Sequence, residues 1–271
     1  MSKVNIAFWS EEDGCGTTSG MAAIASVCSN AWNMKTILMQ CINREGDLRK
    51  KLEMTSFSET VFENHAYYAF GGLDYLLWQG KNERLDEAMV KNTIVPVGKG
   101  GMYYLPSGES EMRCNCYDSK GQKDTMRRVI QLTERLSDLT FIDCGSGRDE
   151  WSDYLLKQAD AVVINFSQER QALDAYFQNS HVFRGKVVYL INCYSQESIY
   201  NKANLGRIYR PQEDIAVIPH NPYFRHAGDK GKLERFIHRH IRGGIFDQQF
   251  YFMQELMHTA AIILRAVGVA L

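Results

Sequence analysis

Residues 8–19, FWSEEDGCGTTS, place glycines and hydroxyl side chains in an order that suits phosphate binding. An apolar run at 4–9 predicts a strand before this segment, and small residues at 17–32 predict a helix after it. A strand that turns through glycines into a helix directs backbone N–H groups, and the positive end of the helix dipole, at one point. The residues that we expect to bind a phosphate are Gly14, Cys15, Gly16, Thr17, Thr18 and Ser19.

The loop lacks one side chain that phosphate-binding loops of the pattern G-x-x-x-x-G-K-[ST] contain. In that pattern the lysine reaches the β- and γ-phosphates, and the hydroxyl that follows it ligates Mg²⁺. Here Thr17 follows Gly16 at the lysine position, whereas Thr18 keeps the hydroxyl. The backbone geometry is therefore expected to survive without the positive charge. Cys15, near a helix N-terminus, is a candidate for a reactive thiol because that position lowers a thiol pKa.

A second predicted strand, at 139–143, ends in an acid and is followed by glycines. An aspartate at such a position can hold Mg²⁺, directly or through water, and a nearby glycine can turn its N–H toward a phosphate. Thr18 and Asp143 are thus the predicted metal residues, Gly145 is a predicted phosphate contact, and Asp143 is the candidate catalytic residue. The alternative is that Asp143 caps a helix beginning near Arg148.

The elements that must position these residues alternate along the chain. Short runs rich in Val and Ile, without polar alternation, are typical of parallel strands covered on both faces, and ligands of such sheets bind beyond the carboxyl ends of the strands. We predict an α/β fold with a doubly wound, mostly parallel sheet flanked by helices, in one domain over 1–271 with a helix-rich insert at about 43–92. Strands are predicted at 3–9, 36–41, 93–97, 102–105, 139–143, 161–165, 186–193 and 215–218, and helices at 17–32, 73–77, 124–137, 151–158, 168–178 and 232–240.

Charge and composition limit the partners. The formal net charge of −1 argues against a nucleic-acid partner and against electrostatic attraction to a membrane. No run reaches about 18 apolar residues and no charged-then-apolar leader is seen, so a cytoplasmic location is expected. A basic cluster at 230–242 is interleaved with acids and predicts a solvated helix face. The apolar spacing at 246–271 predicts a packed helix, so membrane contact is expected to be absent or indirect.

The order of the motifs is more specific than any one of them. ADAVVI at 159–164, LIN at 190–192 and IPHN at 218–221 follow the loop and the acidic strand end in turn. Over nearly its whole length the sequence resembles the ParA/MinD family of deviant Walker A ATPases, with its P-loop NTPase fold. The resemblance implies ATP or ADP with Mg²⁺ as cofactor and a homodimer. It also implies that Asn192, Pro219 and His220 lie beside the base.

Three departures from the family pattern predict weak catalysis. Glu12 lies where the family has its signature lysine, Thr17 replaces the second lysine, and Gln40 and Ile42 replace the two acids of a D-x-D motif that includes the water-orienting acid. Because one cationic group near a γ-phosphate contributes about 10³ to 10⁵ in rate, hydrolysis is expected to be slow or absent. Binding through backbone N–H groups does not depend on these side chains.

Within this family the sequence resembles the CpaE/TadZ branch, which localises and helps to assemble Flp/Tad pili. The segments that carry the likeness are GLDYLL at 72–77, LDEA at 85–88 and GMYYLPSG at 101–108. The resemblance implies pilus or secretion assembly proteins as partners, and a cytoplasmic protein that can gather at a pole or at a membrane machine.

Three functions therefore follow from the sequence. The first is a nucleotide-binding, catalytically weak or inactive localisation or assembly factor. The second is an active dimer-switch ATPase for plasmid or chromosome partition or cell positioning, with Lys35 or Arg148 replacing the missing lysines. The third is an interaction scaffold that works without nucleotide.

Overall fold

Eight strands form one sheet in the computed structural model of this protein, which describes residues 3–41, 48–52, 72–82, 85–107, 120–178 and 183–270. Their order across the sheet is β3-β4-β2-β5-β1-β6-β7-β8. All neighbours pair in parallel except β3, which runs antiparallel to β4. The strands are β1 (Val4–Ser10), β2 (Thr36–Gln40), β3 (Val95–Val97), β4 (Met102–Leu105), β5 (Leu139–Ser146), β6 (Ala161–Phe166), β7 (Lys186–Tyr194) and β8 (Asp214–Pro219).

Helices cover both faces of the sheet. Successive residues of β1 point to opposite faces, so Ile6 and Phe8 join one hydrophobic cluster, while Ala7 and Trp9 join the other. The described helices are α1 (Thr17–Trp32), α2 (Leu48–Lys51), α3 (Leu73–Asn82), α4 (Glu87–Thr93), α5 (Lys120–Leu136), α6 (Glu150–Gln158), α7 (Arg170–Phe177), α8 (Lys202–Ile208), α9 (Pro222–Asp229), α10 (Leu233–His240) and α11 (Phe250–Ala266). The clusters place α1, α2, α10 and α11 on the first face and α3, α5, α6 and α7 on the second. The predicted doubly wound, mostly parallel architecture is confirmed.

Sequence patterns located the strands and most of the helices, with limits that differ by a few residues in several of them. The helix at 17–32 and the strand at 102–105 have the predicted limits, and the apolar tail forms α11. Two short helices, α8 and α9, were not predicted, whereas α2 and α4 lie in the predicted helix-rich insert, for which no individual limits were given. The helices α4, α8 and α9 each begin at an N-cap whose side chain accepts a backbone N–H, and these caps are a local signal for them: Asp86, Asn201 and Asn221.

The proposed domain limits remain a prediction. Of the predicted insert at 43–92, only 48–52, 72–82 and 85–92 belong to the described residues, where α2, α3 and most of α4 lie. Two residues of the family resemblance lie outside the described residues. They are Ile42, at the second acid position of D-x-D, and Gly108, at the end of the segment 101–108.

The loop after β1 lies where the chain reverses its path through the sheet. β1 is central, between β5 on one side and β6 on the other, and the chain leaves it through α1 to reach β2 beyond β5. Loops that leave neighbouring parallel strands in opposite directions open a crevice at their carboxyl ends. The fold therefore puts the predicted phosphate loop in such a crevice.

Candidate functional site

A cleft of about 440 Å³ opens at the carboxyl edge of the sheet. Its walls come from the loop after β1, the ends of β2, β5, β7 and β8, and the helices α1, α2 and α9. Every residue predicted to bind cofactor or metal lines this cleft, although four separate segments of the sequence supply them. Those residues are Gly14, Cys15, Gly16, Thr17, Thr18, Ser19, Asp143, Gly145, Asn192, Pro219 and His220.

The loop presents backbone donors to the cleft. Gly14 and Gly16 have φ angles of 81° and 77°, a left-handed conformation that side-chain-bearing residues adopt at a cost. The first hydrogen bond of α1 runs from the Gly20 N–H to the Gly16 carbonyl, at 2.8 Å. The N–H groups of residues 17–19 precede that bond, so they are the orphan donors of the helix N-terminus and suit an anion.

Thr18 and Asp143 form a close polar pair beneath the loop. The Thr18 hydroxyl donates to Asp143 Oδ2 at 2.7 Å, and the Gly145 N–H donates to Asp143 Oδ1 at 3.0 Å. Burial raises the pKa of Asp143, while these two hydrogen bonds oppose the rise. The alternative role of Asp143 as a helix cap is wrong, since α6 begins at Glu150 and its cap is Asp149, which accepts the Ser152 N–H at 2.6 Å.

This pair fits the predicted magnesium ion. A hydroxyl and a carboxylate oxygen are hard donors of the kind that Mg²⁺ prefers, and Mg²⁺ commonly takes one or two protein ligands plus phosphate oxygens and water. No group of three or more His, Cys, Asp or Glu side chains suited to a metal exists within the described ranges. Thr18 and Asp143 would therefore hold the ion together with a phosphate, and the ion would neutralise phosphate charge.

Asn192 fastens the loop from the side of β7. Its Nδ2 donates to the Cys15 carbonyl at 2.7 Å and to Asn165 Oδ1 at 2.9 Å, and Asn165 Nδ2 in turn donates to the Trp9 carbonyl at 3.1 Å. We call Asn192 and Asn165 the asparagine clamp. Both hydrogens of the Asn192 amide are thus used within the protein. Its predicted role beside the base stays a prediction.

An irregularity in β7 aims Asn192 at the loop. The pairing of β7 with β8 shifts between Ile191 and Tyr194, and Cys193 between them has a φ of 50°. Such a bulge redirects the neighbouring side chain. After it, the His220 N–H donates to the Tyr194 carbonyl at 2.9 Å, which sets the turn formed by buried Pro219 and exposed His220.

The side chains of Thr17 and Cys15, also in the loop, are held within the protein. The Thr17 hydroxyl donates to Ser10 Oγ at 3.0 Å, so the residue at the lysine position packs back onto β1. Cys15 is 5% exposed, and burial raises the pKa of its thiol. Both observations argue against a reactive thiol at Cys15, since the thiolate is the reactive form and burial disfavours it. The nearby charge of Glu12 raises the same pKa further.

The whole chain can be superposed on solved ATPases at low sequence identity. A ParA family ATPase from Chlorobium tepidum is 13% identical, with a TM-score of 0.73 over 96% of this chain and 98% of that chain. The cell-division ATPase MinD of Pyrococcus furiosus is 15% identical, with a TM-score of 0.70 over 97% and 99%. McdA of Cyanothece, in a complex with ATP, is 14% identical, with a TM-score of 0.70 over 100% and 98%. The fold is the ParA/MinD ATPase fold.

The likeness is one of structure. No protein-family model matches the sequence, and no curated protein matches it either. At these identities the solved structures establish the fold of the chain alone. Within the described ranges, no helix is long and apolar enough to cross a membrane.

Gln40, which lies where the ParA/MinD family has the first acid of D-x-D, has a structural role. It lies beside Asp143 in the register of β2 and β5, and it is buried. Its Oε1 accepts the Tyr104 hydroxyl at 3.1 Å and the Leu48 N–H at 3.2 Å. An amide is neutral and cannot take a proton from water as a carboxylate does. Gln40 instead fixes the start of α2.

The cations proposed to replace the missing lysines do not reach the cleft. Lys35 precedes β2, at the opposite edge of the sheet, where its ammonium lies 5.1 Å from the centroid of the Tyr103 ring. The Arg148 guanidinium lies 5.6 Å from the centroid of the Trp9 ring, and Arg148 does not line the cleft. Among the described residues, two cations that sequence reasoning missed do line it, Lys51 and Arg225.

Proposed function

We propose that this protein binds ATP or ADP with Mg²⁺ in the cleft and hydrolyses it slowly or not at all. The observation that carries the proposal is the hydrogen bond between Thr18 and Asp143 beneath a loop with orphan N–H donors. That arrangement offers a phosphate its backbone ligands and a magnesium ion its oxygen ligands in one place. The ATP complex of Cyanothece McdA, a protein with the same fold, supports the choice of nucleotide.

Weak turnover follows from what surrounds the phosphate position. The loop has no lysine, and the Thr17 hydroxyl that replaces it faces Ser10. The neutral side chain of Gln40 lies beside Asp143 and holds α2. Phosphoryl transfer depends on charge stabilisation and on positioning of the nucleophile, and both are reduced here. Nucleotide would then stabilise one conformation of the protein instead of driving repeated cycles.

The cellular role that we infer is that of a homodimeric localisation or assembly factor. ParA and MinD ATPases share the fold, and the sequence segments at 72–77 and 85–88 support a partner in a pilus or secretion machine. A nucleotide that persists in its site suits a scaffold, since the shape that it stabilises lasts. Such a protein would be cytoplasmic and would gather at a pole or at a membrane machine through its partners.

Calorimetric titration tests the nucleotide site. We expect ATP and ADP to bind in the presence of Mg²⁺, and we expect Thr18→Val to reduce the Mg²⁺-dependent part of the affinity. Thr93→Val is the matched control, because the Thr93 hydroxyl bonds to the Met89 carbonyl of its own helix, α4. The absence of binding at millimolar ATP would reject the proposal and favour a scaffold that works without nucleotide.

Phosphate release separates a weak enzyme from an active one. Slow or undetectable release from saturating ATP is expected. Rapid release that disappears in Asp143→Ala would instead favour a dimer-switch ATPase. A fluorescent fusion followed in cells tests the role: foci that depend on Thr18 support a positioning factor, and uniform fluorescence contradicts it.

A further inference from the structure

The cleft has an unfavourable charge balance for a nucleotide. Among the described residues that line it, Asp13, Asp143 and Asp229 are acidic, whereas Lys51 and Arg225 are basic. A polyphosphate adds several negative charges to this set, and like charges in a partly buried site repel one another. One magnesium ion held by Thr18 and Asp143 would offset part of that charge. A protein cation on the phosphate side would offset more of this charge and strengthen binding.

We propose that Lys51 supplies the positive charge that the loop lacks, by binding the phosphates of the nucleotide from α2. This inference rests on the proposed nucleotide site. Lys51 is half-buried, lines the cleft, and makes no hydrogen bond or ion pair with the residues that the structure describes. A lysine ammonium on its flexible stem is well suited to contact phosphate oxygens as a point charge.

The structure fixes the backbone that carries Lys51. Leu48 and Leu52, on either side of it, are 0% and 5% exposed and belong to the cluster that also contains α1. The Leu48 N–H donates to Gln40 Oε1, and Gln40 is the register partner of Asp143. Gln40, which replaces an acid of the family pattern, thus connects α2 to the end of β2 beside the predicted magnesium site.

Arg225 is the weaker candidate for this role. It lies on α9, which follows the Pro219 and His220 turn, and is therefore closer in the chain to the predicted base end. Its side chain is exposed, so water screens its charge more strongly than that of Lys51. α9 packs against α2, which gives the cleft one cation on each of two adjoining helices.

A charge-matched comparison on one helix tests Lys51. Lys50→Met is the control, because Lys50 is exposed and does not line the cleft, although it has the same charge and the same helix. We expect Lys51→Met to weaken binding of the imido analogue of ATP about ten-fold or more, since a hydrogen bond to a charged group contributes that much. Lys51→Arg should restore most of the affinity, and the difference between Lys51→Met and wild type should shrink at high salt.

Each result has one meaning. If wild type binds the analogue and Lys51→Met binds as Lys50→Met does, the role of Lys51 is refuted and the proposed function stands. If wild type does not bind, the proposed function itself fails. Thermal unfolding without nucleotide checks that the variants fold. If Lys51→Met unfolds, Lys51→Gln compared with Lys51→Arg decides the same question: equal affinities would overturn the inference, and a ten-fold weaker Gln variant would support it.

Discussion

Gly20→Ala is the most direct test of the asparagine clamp. Gly20 is buried in the first turns of α1, and a Cβ added there would lie 2.7 Å from Asn192 Oδ1. Alanine in a helix interior is favoured over glycine by about 1 kcal/mol. The contact opposes that gain, since Asn192 cannot move without weakening its bonds to the Cys15 carbonyl and to Asn165.

The expected change in the free energy of unfolding follows from the sizes of these opposing effects. Two buried hydrogen bonds contribute about 1 kcal/mol each, and overpacking of a core costs about 1 to 3 kcal/mol. Gly20→Ala should therefore lower the free energy of unfolding by up to about 2 kcal/mol. In an Asn192→Ala background the nearest remaining atom is Asn165 Oδ1, at 3.5 Å, an ordinary contact. There the same substitution should raise the free energy of unfolding by up to about 1 kcal/mol.

Urea unfolding of the four proteins in this double-mutant cycle measures the coupling, which should be about 1 to 3 kcal/mol. Gly206→Ala is the control, because Gly206 is exposed in α8 and has no atom within 4 Å of an added Cβ. It should stabilise both backgrounds equally, by up to about 1 kcal/mol. If Gly20→Ala has the same effect with and without Asn192, Asn192 does not press on α1 and the clamp is not as described.

Three further outcomes are expected. Burial raises the pKa of Asp143, so the Mg²⁺-dependent affinity for ADP should fall as the pH drops through that raised pKa, and a pH-independent Mg²⁺ effect would contradict this prediction. Without ligand, the protonated Asp143 stabilises the fold most below its unfolded pKa, and this contribution is lost as the pH rises through the raised pKa. Iodoacetamide should modify exposed Cys193 and spare Cys15 in the native protein, as peptide mass spectrometry will report; faster labelling of Cys15 would contradict its burial. Thr259→Val should lower the free energy of unfolding in urea by about 1 to 3 kcal/mol, because the Thr259 hydroxyl accepts from the N–H and donates to the carbonyl of Val217 on the edge strand β8. An unchanged unfolding midpoint would contradict that role.

Local patterns in the sequence determined the elements and the loop. The uninterrupted apolar run before residue 10 and the small residues from 17 to 32 predict β1 and α1, since strand and helix periodicities are properties of neighbouring residues. The glycines between them predict a turn, and in the structure Gly14 and Gly16 are left-handed. The order of the strand ends then predicts that Asp143, Asn192 and Pro219 meet at one edge, as they do.

Tertiary structure alone decided how those residues act on one another. Thr18 and Asp143 are 125 positions apart, and Asn192 and Cys15 are 177 apart, so their hydrogen bonds depend on strand order and on a bulge in β7. Lys51 gave no local signal, because its place in the cleft comes from the packing of a four-residue helix against α1 and from Gln40. The pKa of Cys15 was likewise decided by the packing, because desolvation depends on neighbours that are distant in the chain. The sequence determined which groups reach this edge of the sheet, and the packing decided which of them are available to a ligand.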